Sequence, residues 1–130
     1  RLVLKDTWTK GGRARDIPIR NAEQRQLLDA AKALAGRGSL IPAERSYVEQ
    51  LRRFEYQCAA AGAHRIHGHR HQYAQTRYRE LTGWPAPTAG GPRARDLTPT
   101  EREADREARL TISAELGHER EQITAVYLGR

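Results

Sequence analysis

The chain has 130 residues, with 23 Lys+Arg against 16 Asp+Glu and a formal net charge of +7, which is one domain's worth of sequence with the positive excess that suits a polyanionic partner. No apolar run approaches the ~20 residues a membrane span needs, and no secretory signal opens the chain. The single cysteine, Cys58, leaves no disulfide framework, argues against a structural zinc site, and points to a reducing, cytosolic home.

The first segment, RLVLKDTWTKGGRARDIPIR over residues 1–20, reads as a β-hairpin. Leu2 and Leu4 alternate with Val3 and Lys5, Trp8 adds β propensity, and Lys10-Gly11-Gly12 supplies turn chemistry. Ile17 and Ile19 flank Pro18 as at the end of an edge strand. The chain starts without Met and in mid-pattern, as expected of a piece of a longer protein.

Residues 21–83 read as helices. Asn21 is the expected N-cap of the first, with Gln24 three residues on and Gly36 as its stop. Leu27, Leu28, Ala31, Leu34 and Ala35 form one apolar face. A second helix follows Pro42, carries Tyr47, Val48, Leu51, Phe54 and Cys58 at helical spacing, and ends near Gly62. Both stripes are expected to be core. A third helical stretch, RHQYAQTRYREL, ends before Gly83. Residues 84–97, rich in Pro, Gly and Ala, break all periodicity and read as a surface loop. Over residues 98–130, Thr98-Pro99-Thr100-Glu101 reads as a capping box with Pro at the first helical position. That helix runs to Gly117, and a short last helix carries Ile123, Val126 and Tyr127.

Charge is uneven along the chain. Residues 1–20 hold six Lys/Arg and two acids, whereas residues 99–121 hold four Arg and seven acids. The stretch HRIHGHRHQYAQTRYR, residues 64–79, holds four of the five histidines and four arginines with no acid. It reads either as a solvated basic helix start or as a phosphate pocket, since a helix N-terminus adds partial positive charge and free N–H groups. Its histidine spacings match no common zinc module.

Four residue types recur at places that can converge: Lys10 in the hairpin turn, His67 and Arg70 at a helix start, His118 after Leu-Gly, and Tyr127 nine positions beyond His118. A phenol has a pKa near 10 and is a poor nucleophile at neutral pH. Neighbouring cations favour a phenolate and the extra negative charge of a phosphoryl-transfer transition state. Such a site needs no metal, and no Asp/Glu cluster of metal-ligand type lies beside these residues.

In this order the residues resemble the C-terminal catalytic domain of the tyrosine recombinases, or phage integrases. TWTKGGRARDIPI looks like that family's β-hairpin, HGHRHQYA like its His-X-X-Arg-His box, and LGHEREQITAVY like its Leu-Gly-His segment with the late tyrosine. The resemblance implies an α+β, mainly α-helical fold, with the N-terminal hairpin packed on a helical bundle as in that family's catalytic domain. It implies that Tyr127 attacks a DNA phosphodiester to form a 3′-phosphotyrosyl bond, and that Arg70 and His118 hold the non-bridging oxygens. Lys10 would protonate the 5′-oxygen and His67 would assist proton transfer. No cofactor or metal is implied. The implied partner is double-stranded DNA at attachment sites, bound by a homo-tetramer that is monomeric when free, in the cytoplasm of a bacterium, phage-encoded or not, and not at a membrane.

Arg13, Arg15, Arg65 and Arg77 are expected as further DNA contacts, against the plain alternative of solvated arginines. Another family arginine, upstream of the hairpin, and the N-terminal clamping domain have no counterpart here, so weak or no cleavage by this chain alone is expected. His69 stands where the family has leucine, which would place an imidazole at a core position, and residues 84–96 look like an insertion. A recombinase-like module that holds DNA without turnover, a type IB topoisomerase and a helical interaction domain remain as alternatives.

Overall fold

The computed structural model describes residues 1–9, 11–63, 66–118 and 120–130, with Ile66 by its backbone alone. The described residues form two strands, β1 (Leu2–Leu4) and β2 (Arg15–Ile17), and five helices: α1 (Ala22–Ala35), α2 (Tyr47–Ala60), α3 (Ile66–Thr82), α4 (Pro99–Leu116) and α5 (Glu121–Leu128). The fold is mainly helical with one small antiparallel sheet. Among the described residues no helix is long and apolar enough to cross a membrane. The chain divides into two compact units, residues 18–65 and residues 1–17 with 66–130.

In the unit of residues 18–65, both helices start on local side-chain chemistry. Asn21 Oδ1 accepts from Gln24 N at 2.8 Å, while Gln24 Oε1 accepts from Arg20 N at 2.9 Å, one residue earlier than a reciprocal capping box requires. Ser46 and Glu49 do form the full box, and the Ser46 N–H and then its hydroxyl, both donating to the Glu49 carboxylate, hold that carboxyl below its usual range. The start of α2 therefore lies at Ser46 rather than directly after Pro42. The apolar stripes differ from the core expected of them. Leu34 is 81% exposed, Leu27 72%, Tyr47 68% and Phe54 51%, and neither helix contains a buried residue. What contact exists is local, with Leu40 and Ile41 beside Tyr47, Leu51 and Phe54 around a cavity of about 230 Å³. Helical spacing aligns such residues on a face, and among the described residues of the unit none buries that face.

In the other unit, β1 and β2 pair antiparallel with Leu2 opposite Ile17, Val3 opposite Asp16 and Leu4 opposite Arg15. β2 packs on α4. Trp8 is not in a strand as expected: it closes a 3₁₀ turn over Asp6–Trp8 and is exposed. The cause is Asp6, whose carboxylate accepts from Thr7 N at 2.7 Å and turns the chain directly after β1. Thr9 then closes the loop, its hydroxyl donating to Arg13 O at 2.6 Å and accepting from Arg13 N at 2.9 Å.

The core joins Ala74 and Tyr78 of α3, Ala108, Ile112 and Leu116 of α4, Tyr127 and Leu128 of α5, and Ala86, with Tyr73 and Trp84 packed against it. Residues 84–97, expected as a surface loop, contribute Ala86 to this core, and Leu97 is buried as well. The close approach needs glycine, because a Cβ at Gly91 would collide with the Pro85 carbonyl. A polar seam crosses the same core. Tyr78 Oη donates to Asp105 at 2.5 Å, Trp84 Nε1 donates to Tyr78 Oη at 3.2 Å, and Arg109 Nε donates to Asp105 at 2.9 Å. Arg109 also donates to the Gly129 carbonyl at 2.9 Å, tying down the end of α5.

Candidate active site

The end of α4 shows why the order Leu-Gly-His positions a histidine. Gly117 adopts the left-handed conformation (φ 70°) that ends a helix without a Cβ penalty. Its N–H bonds to the Ala114 carbonyl at 3.0 Å, and the His118 N–H bonds to the Ser113 carbonyl at 2.9 Å. These are the two bonds of a Schellman termination, so the backbone of His118 is fixed by the same interactions that stop the helix.

Arg70 reaches this terminus from α3. Its Nη2 donates to the Leu116 carbonyl at 2.9 Å and lies 3.3 Å from His118 Nε2. The first contact satisfies a carbonyl that α4 itself leaves unpaired, and puts a cation at the negative end of the helix dipole. Because a guanidinium can only donate, His118 Nε2 accepts and the ring proton lies on Nδ1, which faces the fully buried Thr124 Oγ1 at 2.9 Å. Burial first, then the charges of Arg70 and Arg15, pushes the His118 pKa below its ordinary value, so the ring is neutral at pH 7.

The sign of the resulting pH dependence follows directly. With the folded pKa depressed, His118 contributes fully to stability above about 6.5, and that contribution is lost as pH falls through the folded value. Melting temperatures measured from pH 7.5 down to 5 are expected to decline below pH 6.5 in the wild type, with a smaller decline in His118→Gln, which cannot titrate. Equal declines in the two proteins would remove His118 as the cause.

Tyr127, on α5, is 7% exposed. Its ring stacks on His118 (centroids 5.2 Å, interplanar angle 13°) and tilts against His71 (4.5 Å, 55°). Gln75 Nε2 donates to its backbone carbonyl at 3.2 Å, which joins α5 to α3. Thus Arg70, His118 and Tyr127, from three helices, meet at one place. His67 does not join them by any hydrogen bond among the described residues, and is exposed on the first turn of α3. His69 is exposed as well, so it is not the core position expected of it. Lys10 and Arg65 lie outside the described residues.

The three described arginines among those expected to contact DNA separate into different roles. Arg13 is exposed and lines a cavity of about 290 Å³ with Ala14, Ala114, Gly117 and His118. Arg15, half-buried on β2, lies so close to Gly117 that a Cβ there would overlap its guanidinium. Arg77 is held between Glu115 and Glu80, at 3.0 Å and 3.3 Å. Glu115, itself buried, also accepts from Tyr73 Oη at 2.7 Å.

His71, Thr124, Gln75 and Glu115 were not among the residues expected at the site. Thr124 could have been found as the residue three before Tyr127 on the same helical face, and His71 as the ring next to Arg70. Glu115 carried no signal beyond its place before Leu116. A cavity of about 410 Å³ lies elsewhere, lined by Asp105, Arg109 and Glu121 among others and by neither His118 nor Tyr127. Among the described residues no group of three or more His, Cys, Asp or Glu could hold a metal. Neither protein-family models, curated proteins nor solved structures match the chain.

Proposed function

We propose that this chain is the catalytic domain of a DNA strand-exchange enzyme of the tyrosine-recombinase type, and that Tyr127 is its nucleophile. The observation that carries the reading is the convergence of Arg70, His118 and Tyr127 from α3, the end of α4 and α5, since nothing in core packing requires a phenol beside an imidazole and a guanidinium. In the proposed reaction Tyr127 Oη loses its proton and forms an O–P bond to the scissile phosphodiester. The P–O5′ bond breaks, and the departing 5′-oxygen takes up a proton, which Lys10 supplies. The 3′-phosphotyrosyl bond keeps the energy of the bond it replaced, so the reverse attack by a 5′-hydroxyl rejoins DNA without ATP. Arg70 neutralises charge on the non-bridging oxygens as it builds up in the transition state. His67 assists proton transfer, and attachment-site duplexes held by a tetramer are the substrate.

His118 acquires a definite task in this scheme. In the free protein its Nε2 accepts from Arg70 and cannot donate to an oxyanion. A phosphate oxygen that takes over Arg70 frees Nε2, and its negative charge favours the protonated ring, which then donates. The burial of the Tyr127 ring favours a second reading, a module that holds DNA without turnover.

Nicked suicide duplexes drawn from DNA flanking the coding sequence, given to the protein expressed from that whole coding sequence, separate the two. The strand-exchange reading expects a covalent protein–DNA band on a denaturing gel. A folded protein that binds these duplexes in a salt-dependent way and gives no band belongs to the second reading.

A further inference from the structure

Four arginines of the unit that holds the site are buried or half-buried, and they divide by partner. Arg77 and Arg109 are each matched to a carboxylate, Glu115 and Asp105, at 3.0 Å and 2.9 Å. Arg15 and Arg70 have no carboxylate partner among the described residues, and the Nε of each is buried with no hydrogen-bond partner. A buried donor left unpaired is unfavourable, and a buried cation without a counter-ion more so, which makes two such groups in one place exceptional. They are in one place: Arg70 donates to Leu116, the Arg15 guanidinium lies against Gly117, and His118 follows. Both charges act on the His118 ring. The two guanidiniums therefore bracket the three residues that end α4, beside the cavity on Gly117 and His118.

We propose that Arg15 is the second guanidinium of an oxyanion cradle, paired with Arg70 around Leu116–His118, and that the cradle takes a tetrahedral phosphate group. The assignment rests on the phosphodiester reading of this site. It moves Arg15 from the outer DNA surface to the scissile phosphate. It also gives Gly117 a second reason to be glycine, because any side chain there would displace Arg15. Two forked donors on one phosphate account for two cations without acids, as a charge-assisted bidentate pair stabilises strongly in a half-buried setting.

The test titrates this chain with inorganic phosphate at constant ionic strength, following the Gly117 and His118 amide resonances. Wild-type protein is expected to give saturable shifts at both. Arg15→Gln, which keeps length and polarity without charge, is expected to weaken binding by about tenfold or more, with Arg15→Lys between the two. Arg15 makes no side-chain hydrogen bond among the described residues and its charge has no carboxylate partner there, so a melting temperature equal to or above that of the wild type is expected and confirms that the variant is folded. Should Arg15→Gln fail to fold, Arg15→Lys carries the comparison, and binding at wild-type strength there overturns the proposal.

Arg15→Gln binding phosphate as tightly as wild type also overturns it, as do shifts that never saturate or that spare Gly117 and His118. Tyr127→Phe separates this result from the reading it rests on. Phosphate binding that persists in Tyr127→Phe, with no covalent DNA band from the wild type, leaves the cradle standing and removes the strand-exchange enzyme. A band formed equally well by Arg15→Gln removes Arg15 from the cradle and leaves the enzyme.

Discussion

Arg77→Ala is expected to lower unfolding stability by about 3–5 kcal/mol, the scale of breaking a buried ion pair from one side. The size follows from what remains. Glu115 is 7% exposed and accepts three bonds from Arg77, at 3.0 to 3.2 Å, and one from Tyr73. Without Arg77 its carboxylate keeps, among the described residues, only the Tyr73 phenol. Burial works against the charge on Arg77, but the bonds to Glu115 and Glu80 more than offset it, and its pKa is raised.

Denaturant unfolding of Arg77→Ala, Arg77→Lys and the double variant Arg77→Met/Glu115→Leu separates pairing from packing. Lysine cannot reproduce the forked contact and is expected to recover only part of the loss. The double variant, which removes both charges, is expected to recover most of it. An exposed arginine that touches DNA alone behaves otherwise, since its removal stays within about 0.5 kcal/mol in stability while weakening DNA binding. A loss under about 1 kcal/mol in Arg77→Ala would return Arg77 to that class. Because Glu115 immediately precedes Leu116, loosening this pair also loosens the carbonyl that Arg70 holds.

The parts of the fold that were legible in the sequence are those set by neighbours along the chain. Thr98 and Glu101 cap α4, Asn21 caps α1, and Gly36 and Gly117 end their helices, because each of these rules acts within one turn. Periodicity misled in both directions. On α1 and α2 it aligned Leu27, Leu34, Tyr47 and Phe54 on faces that stay exposed, since spacing states which residues share a face and not whether anything covers it. On α3 the face turned inward is Arg70, Tyr73, Ala74, Arg77 and Tyr78, which has no apolar rhythm to detect. It is buried because Glu115 and Asp105, on α4, supply its partners. Arg13 and Arg15 show the same limit at the site. Two residues apart and chemically identical, they separate only when β2 packs on α4, which half-buries Arg15 with its guanidinium against Gly117 and leaves Arg13 exposed at the neighbouring cavity.

The chain has five tyrosines, and their surroundings set one apart for the nucleophile's role that the proposed function requires. Tyr47 and Tyr56 are 68% and 70% exposed on α2, and neither belongs to the compact unit that holds Arg70 and His118. Tyr73 Oη is committed to Glu115. Tyr78 is fully buried, and burial, then its bond to Asp105, pushes its phenol up to about 12, which removes it from nucleophilic chemistry near pH 7. Tyr127 alone has its ring against His118.

Conservative variants should therefore diverge. Tyr127→Phe keeps the ring that packs against His118 and His71, so a change of less than about 1 kcal/mol in stability is expected. The covalent DNA band should vanish altogether, because no other oxygen occupies that position. Tyr78→Phe removes the donor to Asp105 and the acceptor for Trp84 inside the core, and is expected to lower stability by about 1–3 kcal/mol. Its band, measured well below its melting temperature, should persist. If Tyr127→Phe instead destabilises the fold as much as Tyr78→Phe does, and the wild type forms no band, Tyr127 is a packing residue and the DNA-holding module is the better reading.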